Sequence, residues 1–175
     1  ALIEQLAASG HVAADSITPL GIVKTGVAVR AGEPHPDVAS GAALKSALLR
    51  ASAVYFPDPE KATAGIHFMK VLKSLGIEDD LRDRMRTFPN GATAMGAMAT
   101  SGDEGAIGCT QVTEILFTAG VDLVGLLPKE FELATVYTAA VCSRAHDPRS
   151  AREFIALLAG EEAAPVRAEC GFETA

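Results

Sequence analysis

The sequence predicts an α/β fold with a mostly parallel sheet, and three observations lead to this prediction. Short β-branched or aromatic runs alternate with apolar-periodic helical segments through most of the 175 residues. Glycines and prolines separate these segments where turns are expected. Hydrophobic residues make up 49% of the chain and charged residues 21%, so the chain can bury a substantial core. Strands that alternate with helices are typical of parallel sheets covered by helices.

The first elements precede this alternation. Leu2–Ala8 has its apolar residues on one side and is predicted to be a short helix that ends at Ser9-Gly10. Residues 17–30 are β-rich and interrupted by glycines. The loop over 31–37 contains two prolines, which exclude regular structure, so we expect it to be a crossover between lobes.

From residue 41 onward, helices and strands follow one another closely. The predicted helices are Gly41–Arg50, Thr63–Leu75, 78–85, 92–101, Val112–Phe117, 148–158 and 161–170, and the predicted strands are 53–56, 86–88, 106–110, Val121–Leu126 and 133–142. Ser40 and Asp147 are expected to be N-caps, and Gly76 is expected to end its helix. The run over 133–142 is predicted to be the longest strand.

Two loops of small residues open directly into predicted helices. One is Ala62-Thr63-Ala64-Gly65 and the other is Asn90-Gly91-Ala92-Thr93, and each follows a predicted strand. The first amides of a helix are unpaired and its dipole favours negative charge, so such loops can hold an anion. The alternative is an ordinary strand-to-helix connection, with Thr63 as an N-cap in the first loop. The presence of two such loops favours a small-anion site, since open α/β sheets bind ligands beyond the carboxyl ends of their strands.

Gln111, Thr113 and Glu114 follow the predicted strand 106–110 and form a third candidate group. Gln111 offers both a donor and an acceptor. The alternative is that Thr113 caps the next helix and Glu114 only occupies its first turn. A carboxylate beside a bound anion is repulsive, so Glu114 either points away or faces a hydroxyl or a cation of the ligand.

Composition and motifs argue against several other functions. A net charge of −7 speaks against general binding of nucleic acids or acidic membranes. No apolar stretch approaches the roughly 20 residues of a membrane span. The four histidines show no metal-ligand spacing, so no metal or cofactor is expected, and His67 is interpreted as packed or exposed, with proton transfer as the minority interpretation. Cys109 and Cys142 lie in apolar runs and are predicted to be core residues.

Five segments carry a resemblance to a known family, and they are residues 26–37, 62–72, 108–115, 121–128 and 159–164. Together they resemble the periplasmic molybdate-binding protein family of ABC importers, in its divergent branch. The resemblance covers nearly all of the chain and keeps order and spacing.

This resemblance implies a type II periplasmic-binding-protein-like fold of two α/β lobes with central mixed sheets. Residues 1–31 and 127–175 would form part of the first lobe, and residues 32–126 the second. In this family an anion is held between the lobes by hydrogen bonds, many of them from amides at helix starts, which fall at Ala64 and Ala92 here. The implied ligand-binding residues are Thr63, Ala64, Gly65, Gly91, Ala92, Thr93, Gln111 and Thr113, with no catalytic residue and no metal.

The chain departs from this family in two respects. Gln111 stands where molybdate binders usually place a tyrosine, which leaves room for another anion or an organic acid. The family begins with a signal peptide and with units of the first lobe that this chain lacks, so we expect an incomplete first lobe whose exposed edge favours a homo-oligomer. The expected location is periplasmic or secreted, and cytoplasmic if the missing N-terminal part carries no signal peptide.

The resemblance implies the solute-binding component of an ABC importer, which captures a small oxyanion or a small carboxylate and presents it to a permease. One alternative is an isomerase of an unsaturated polycarboxylic acid such as aconitate, with Gln111, Glu114 or His67 near the moved proton. Another is the effector-binding domain of a regulator, which the absence of a helix-turn-helix or basic segment disfavours.

Overall fold

The structure, a computed structural model, describes residues 2–174, and these divide into two compact units. One unit contains residues 2–23 and 135–174, and the other contains residues 24–134. The second unit therefore includes residues 24–31 and 127–134, which the resemblance assigns to the first lobe.

Helices and strands alternate through most of the described chain. The helices are α1 (Leu2–Ala8), α2 (Gly41–Arg50), α3 (Thr63–Leu75), α4 (Glu78–Leu81), α5 (Gly91–Thr100), α6 (Val112–Phe117), α7 (Pro148–Ala159) and α8 (Ala164–Glu169). The strands are β1 (Thr18–Arg30), β2 (Val54–Pro57), β3 (Met85–Phe88), β4 (Ile107–Gln111), β5 (Val121–Leu126) and β6 (Ala134–Ala139). The predicted caps are confirmed, because the Ser40 and Asp147 side chains accept amide hydrogen bonds and Gly76 adopts a left-handed φ of 65°.

The sheet of the second unit is mixed, with the strand order β3-β2-β4-β1-β5. β2 pairs in parallel with both β3 and β4, whereas β1 is antiparallel to β4 and to β5. Four of these five strands therefore run in one direction, and β1 runs against them. β6 pairs with β1 as well. These strands confirm the α/β class and the mixed sheet.

Two apolar clusters cover the two faces of this sheet. Phe56 packs with Leu44, Leu48, Phe68 and Leu72 from α2 and α3. On the other face, its neighbour Tyr55 packs with Met95 and Met98 of α5 and with Ile115 of α6. Successive strand residues point to opposite faces, so β2 contributes to both clusters.

The carboxyl ends of β2, β3 and β4 lie at one edge of the sheet. Pro57, the last residue of β2, pairs with Phe88, the last residue of β3. Tyr55 pairs with Gly108, and the same register continued by two residues sets Pro57 level with Thr110. The loops that lead into α3, α5 and α6 therefore all leave the sheet at this edge, which we call the carboxyl edge.

Several sequence predictions are wrong. The predicted helices 78–85 and 161–170 shorten to Glu78–Leu81 and Ala164–Glu169, because 3-10 turns occupy Arg82–Arg84 and Glu161–Ala163. The longest strand is β1 with 13 residues, because its glycines do not interrupt it, while the predicted strand over 133–142 shortens to Ala134–Ala139. Cys109 is buried as expected, but Cys142 is exposed. Cys142 lies beyond β6 in a single bridge to Val12, where the preceding residue Val141 takes the buried side and Cys142 the opposite one.

Candidate functional site

The start of α3 has no capping side chain. α3 begins at Thr63, and the N-cap residue is Ala62, whose methyl group cannot accept a hydrogen bond. Among residues 2–174, none accepts a hydrogen bond from the amides of Thr63, Ala64 or Gly65. Ala64 is only 5% exposed, and buried amides are nearly always paired. Three amide donors at the carboxyl edge are thus available to a ligand.

Asp58 holds the loop between β2 and α3 in place. Its carboxylate accepts hydrogen bonds from the amides of Glu60 and Lys61 at 2.8 and 3.1 Å. Its main chain donates to the Phe88 carbonyl at 2.7 Å and accepts from the Ala62 amide at 3.0 Å. The sequence analysis missed this role, although an aspartate that opens a short loop is the typical signal of such a turn.

Gly65 lets α3 approach the end of β2. A Cβ atom on Gly65 would lie 2.2 Å from the Pro57 carbonyl oxygen and 2.4 Å from that of Asp58. Only glycine permits this approach. Gly65 was predicted to bind the ligand, and it also has a packing role, because it brings the first turn of α3 to the carboxyl edge.

The start of α5 is satisfied internally, in contrast to α3. The Asn90 side chain accepts hydrogen bonds from both the amide and the hydroxyl of Thr93, each at 2.8 Å. Both donors that the sequence analysis offered to a ligand at Thr93 are thus engaged within the helix start.

The Glu114 carboxylate completes the pairing at α5. Its Oε1 accepts from the Ala92 amide at 3.3 Å, and its Oε2 accepts from the Thr110 hydroxyl at 2.5 Å. A Cβ atom on Gly91 would lie 2.1 Å from Oε2, so this glycine makes room for the carboxylate. Of the two orientations left open for Glu114, the structure shows it turned toward the start of α5. The Ala92 amide implied as a ligand donor already has an acceptor.

Gln111 and Thr113 lie on either side of the start of α6. Gln111 ends β4, is 5% exposed, and pairs in register with Thr25 of β1. The Thr25 hydroxyl is buried and has no hydrogen-bond partner in the described chain. Thr113 is half-buried in the first turn of α6 and does not cap it, because Gln111 is the N-cap residue.

His67 is a packed residue. It lies half-buried on α3, and its Nε2 is 2.7 Å from the Phe131 carbonyl oxygen. A carbonyl only accepts, so Nε2 carries the hydrogen and this nitrogen is engaged by the main chain. This contact fixes the orientation of the ring, and proton transfer through Nδ1 stays a prediction.

Two cavities of the second unit differ in their chemistry. One of about 310 Å³ lies at the carboxyl edge and is lined by Asp58, Lys61, Thr87, Phe88 and Pro89. A larger one of about 480 Å³ lies at the opposite edge, near Arg30 and Glu33. Those two side chains pair with each other, and the larger cavity is also lined by Arg50, whose guanidinium donates to the Ser46 hydroxyl. The carboxyl edge is the candidate that the unpaired amides of α3 favour.

No group of three or more His, Cys, Asp or Glu residues within 2–174 could hold a metal ion. Over the same range, no helix is both long and apolar enough to cross a membrane.

Comparisons with known proteins agree with this architecture. A sequence model of the family described as bacterial extracellular solute-binding protein matches residues 1–173. An aconitate isomerase of Pseudomonas sp. is 31% identical over 172 residues, which cover 98% of this chain and 63% of that protein. The chain therefore spans less than two thirds of the length of this relative.

Solved structures share the fold at lower sequence identity. The periplasmic molybdate-binding protein of Azotobacter vinelandii matches with a TM-score of 0.77 and 19% identity over 99% of this chain and 74% of that one. The substrate-binding protein of an ABC transporter from Agrobacterium tumefaciens matches with a TM-score of 0.68 and 14% identity over 95% and 59%. These likenesses confirm the type II periplasmic-binding-protein-like fold.

Proposed function

The chain belongs to the family of bacterial extracellular solute-binding proteins, and we propose that it binds a small anionic solute at the carboxyl edge of its second unit. The observation that carries this proposal is the difference between the two helix starts. At α5 the amides of Ala92 and Thr93 are paired with Glu114 and Asn90, whereas at α3 no described residue accepts from the first three amides.

The start of α3 is suited to a carboxylate or an oxyanion. Three amides of one helical turn, reinforced by the helix dipole, match the acceptor oxygens of such a group. Hydrogen bonds to a charged acceptor are stronger than those between neutral groups. The same loop carries Lys61 together with the carboxylates of Asp58 and Glu60, so the attraction for an anion comes from the amides and the helix dipole.

The ligand class we favour is a small organic carboxylate, with an oxyanion of the molybdate type as the second choice. The relative at 31% identity carries the name of an enzyme that acts on a tricarboxylic acid, whereas the molybdate-binding structure is 19% identical. Gln111 also lacks the phenol that the resemblance associates with molybdate.

The proposed contacts follow the sequence prediction, with an order of importance set by the hydrogen bonds. Thr63, Ala64 and Gly65 supply the main donors through their amides. Gln111 adds an amide side chain from the neighbouring strand, and the remaining proposed positions are Gly91, Ala92, Thr93 and Thr113. We further propose delivery of the solute to an ABC permease from a periplasmic or secreted location.

Removal of one amide donor tests this proposal. Thr63→Pro deletes the first amide of α3, and proline is well tolerated at the first helical position after an extended residue such as Ala62, with φ −92° and ψ 130°. Calorimetry with trans-aconitate, citrate, succinate, acetate, molybdate and sulfate measures binding. We expect Thr63→Pro to raise the dissociation constant about tenfold or more, which is the usual effect of losing a charge-assisted hydrogen bond.

Thr63→Ala is the matched control, because it removes the hydroxyl and keeps the amide. It is expected to bind the same ligand within about threefold of the wild-type affinity, the loss of a weak hydrogen bond at most. Equal losses in the two variants would assign the effect to the hydroxyl and contradict amide capture. An absence of binding across the whole panel would contradict the proposed function.

The second candidate function is isomerisation of an unsaturated polycarboxylic acid, and the 31% identity with an aconitate isomerase favours it. Gln111, Glu114 and His67 are the side chains proposed near the moved proton, and in His67 the Phe131 carbonyl engages only Nε2. Proton NMR of cis- and trans-aconitate incubated with the protein tests it. If the wild type interconverts the two isomers and Glu114→Gln does not, the result supports an enzyme. If the spectra of both isomers stay unchanged with the wild type, the result contradicts one.

A further inference from the structure

Thr25 of β1 carries a buried hydroxyl that no described residue engages. The residue is 1% exposed, and its hydroxyl has no hydrogen-bond partner within residues 2–174. The main chain of Thr25 is paired, because its amide donates to the Leu133 carbonyl at 3.2 Å and its carbonyl accepts from the Leu127 amide at 3.1 Å. Buried polar side chains are nearly always hydrogen-bonded, since burial without a partner costs free energy. The hydrogen-bonding capacity of this hydroxyl is thus open.

The Thr25 hydroxyl lies on the face of the sheet that α3 covers. Thr25 pairs in register with Gln111, the last residue of β4, and Val27 pairs with Cys109. Val27 and Cys109 belong to the same apolar cluster as Phe68 of α3. Side chains two residues apart in a strand point to the same face, so Thr25 and Gln111 also lie on the side of α3. The register sets both residues at the carboxyl edge.

A chain of contacts joins Thr25 to the first turn of α3. α3 packs on β2 and on β4, and β4 lies between β2 and β1. His67, one turn after Thr63, contacts the Phe131 carbonyl oxygen through Nε2 at 2.7 Å. Phe131 is two residues from Leu133, whose carbonyl accepts from the Thr25 amide. Since the first turn of α3 stands at the end of β2 and adjacent strands are about 4.8 Å apart, Thr25 lies roughly 10 Å from this turn.

We infer that the Thr25 hydroxyl is a second contact for the ligand, and that it binds an oxygen of the solute whose ionised group occupies the start of α3. Hydrogen bonds of about 2.8 Å at both ends leave roughly 4–5 Å between the two ligand oxygens. The chemical class that fits is an organic acid with two carboxyl groups on a short carbon chain. A compact tetrahedral oxyanion is too small to make both contacts. This inference rests on the proposed binding of an anion at α3 and names the ligand class.

The segment 127–133 encloses this contact. Both of its ends hydrogen-bond to the main chain of Thr25, and Leu127 and Phe131 pack with the apolar cluster on the face of α3. Because Thr25 is almost fully buried, a ligand oxygen reaches its hydroxyl only when this segment moves aside. A hydrogen bond formed there is shielded from water, which strengthens it.

Thermal unfolding tests first whether the hydroxyl lacks a partner in the fold. Thr25→Val replaces the hydroxyl by a methyl group of similar size. Because no hydrogen bond is lost, the melting temperature is expected to stay the same or to rise by up to about 4 °C. Thr110→Val is the matched control, since the Thr110 hydroxyl is also buried but donates to Glu114, and it should lower the melting temperature by about 4 °C or more. Equal losses in the two variants would overturn the inference.

Calorimetry tests the contact itself, with trans-aconitate as the extended acid and molybdate as the compact anion. Thr25→Val is expected to raise the dissociation constant of trans-aconitate about tenfold and to leave that of molybdate within about twofold. Thr25→Ser keeps the hydroxyl and should bind trans-aconitate within about threefold of the wild-type affinity, although the loss of a buried methyl group lowers its melting temperature. A purely structural role of Thr25 would not move stability and affinity in opposite directions.

Three binding results would overturn this inference. One is wild-type affinity for trans-aconitate in Thr25→Val, or in Thr25→Ala if the valine variant does not fold. Another is an equal loss of affinity for molybdate and trans-aconitate. The third is a wild type that binds molybdate through the Thr63 amide but does not bind trans-aconitate, in which case anion binding at α3 stands and only the contact with Thr25 fails. An absence of binding by every anion would contradict the proposed function as well.

Discussion

Gly65 and Pro57 are in contact through backbone alone: a Cβ atom on Gly65 would lie 2.2 Å from the Pro57 carbonyl oxygen. This contact brings the unpaired amides of α3 to the end of β2. The glycine is therefore a structural requirement of the candidate site as much as one of its members.

Gly65→Ala should destabilise the protein. The new methyl group meets two backbone carbonyls that cannot rotate away, so we expect a loss of about 2–3 kcal/mol in the free energy of unfolding, as for an overpacked core. Chemical denaturation measures it. Gly96→Ala is the control, because its Cβ atom meets nothing within 4 Å in α5, and it should stabilise by up to about 1 kcal/mol. Equal effects of the two substitutions would contradict the close approach.

Tyr55 should make stability fall at high pH. Its burial raises the pKa of the phenol above the ordinary value of 10.0, and the nearby Asp103 carboxylate, which accepts its hydrogen bond at 2.8 Å, adds to the increase. A group with a raised pKa in the folded state contributes its full stability below pH 10 and loses it as the pH rises through the folded pKa.

Denaturation of the wild type and Tyr55→Phe between pH 8 and 11.5 checks this prediction. The phenylalanine variant keeps the stacking on Phe88, whose ring centre is 5.9 Å away, and loses only the hydroxyl. It should be less stable than the wild type by about 1 kcal/mol at pH 8, and the difference should shrink as the pH rises. A constant difference would show that Tyr55 does not titrate with folding.

The three cysteines should differ in their reaction with a thiol reagent. Cys109 is fully buried, and its burial raises the pKa of the thiol, so little thiolate forms. Cys142 and Cys170 are exposed. Native protein should therefore react at two thiols in the first minutes and at three in denaturant, and mass spectrometry of the peptides should find Cys109 unlabelled in the native sample. Early labelling of Cys109 would contradict the packing of β4.

The Asp147 cap of α7 should make this helix sensitive to acid. Hydrogen bonds from Ser150, first, and from Arg149 lower the pKa of the Asp147 carboxyl. The carboxyl group therefore stabilises the folded protein at pH values above its pKa in the unfolded chain. This stabilisation is lost as the pH falls through the lower pKa that the group has in the folded protein. Asp147→Asn keeps the capping oxygen and removes the titration.

The wild type should thus have a higher melting temperature than Asp147→Asn at pH 6, and the two melting temperatures should converge toward pH 2. Differential scanning calorimetry at several pH values measures both curves. If the two melting temperatures differed by the same amount at every pH, titration of the Asp147 carboxyl would not be the cause of the acid sensitivity.

The sequence predicted correctly those helices and strands whose ends are set by residues nearby in the chain. The helix Thr63–Leu75 is confirmed at both ends, because its apolar spacing and Gly76 are local signals. The strand predicted over 133–142 was too long, since apolar composition alone does not show where strand pairing ends.

The candidate site was only partly predictable for the same reason. Small residues before α3 and α5 indicated two similar helix starts, although Asn90 can cap a helix and Ala62 cannot, a local signal that the prediction did not use. The rest of the difference depends on Glu114, which lies 22 residues after Ala92 and reaches it only because Gly91 leaves room. No pattern of local spacing reports a contact of that kind.

The position of β1 in the sheet has a consequence for synthesis on the ribosome. Gly26 of β1 pairs with Thr110 and with Leu126, which are translated 84 and 100 residues later. At usual elongation rates Gly26 emerges roughly 5–20 seconds before Leu126, and β6, which also pairs with β1, follows later still. During that interval the longest strand of the chain has both hydrogen-bonding edges open, and it is the segment that a chaperone would have to protect.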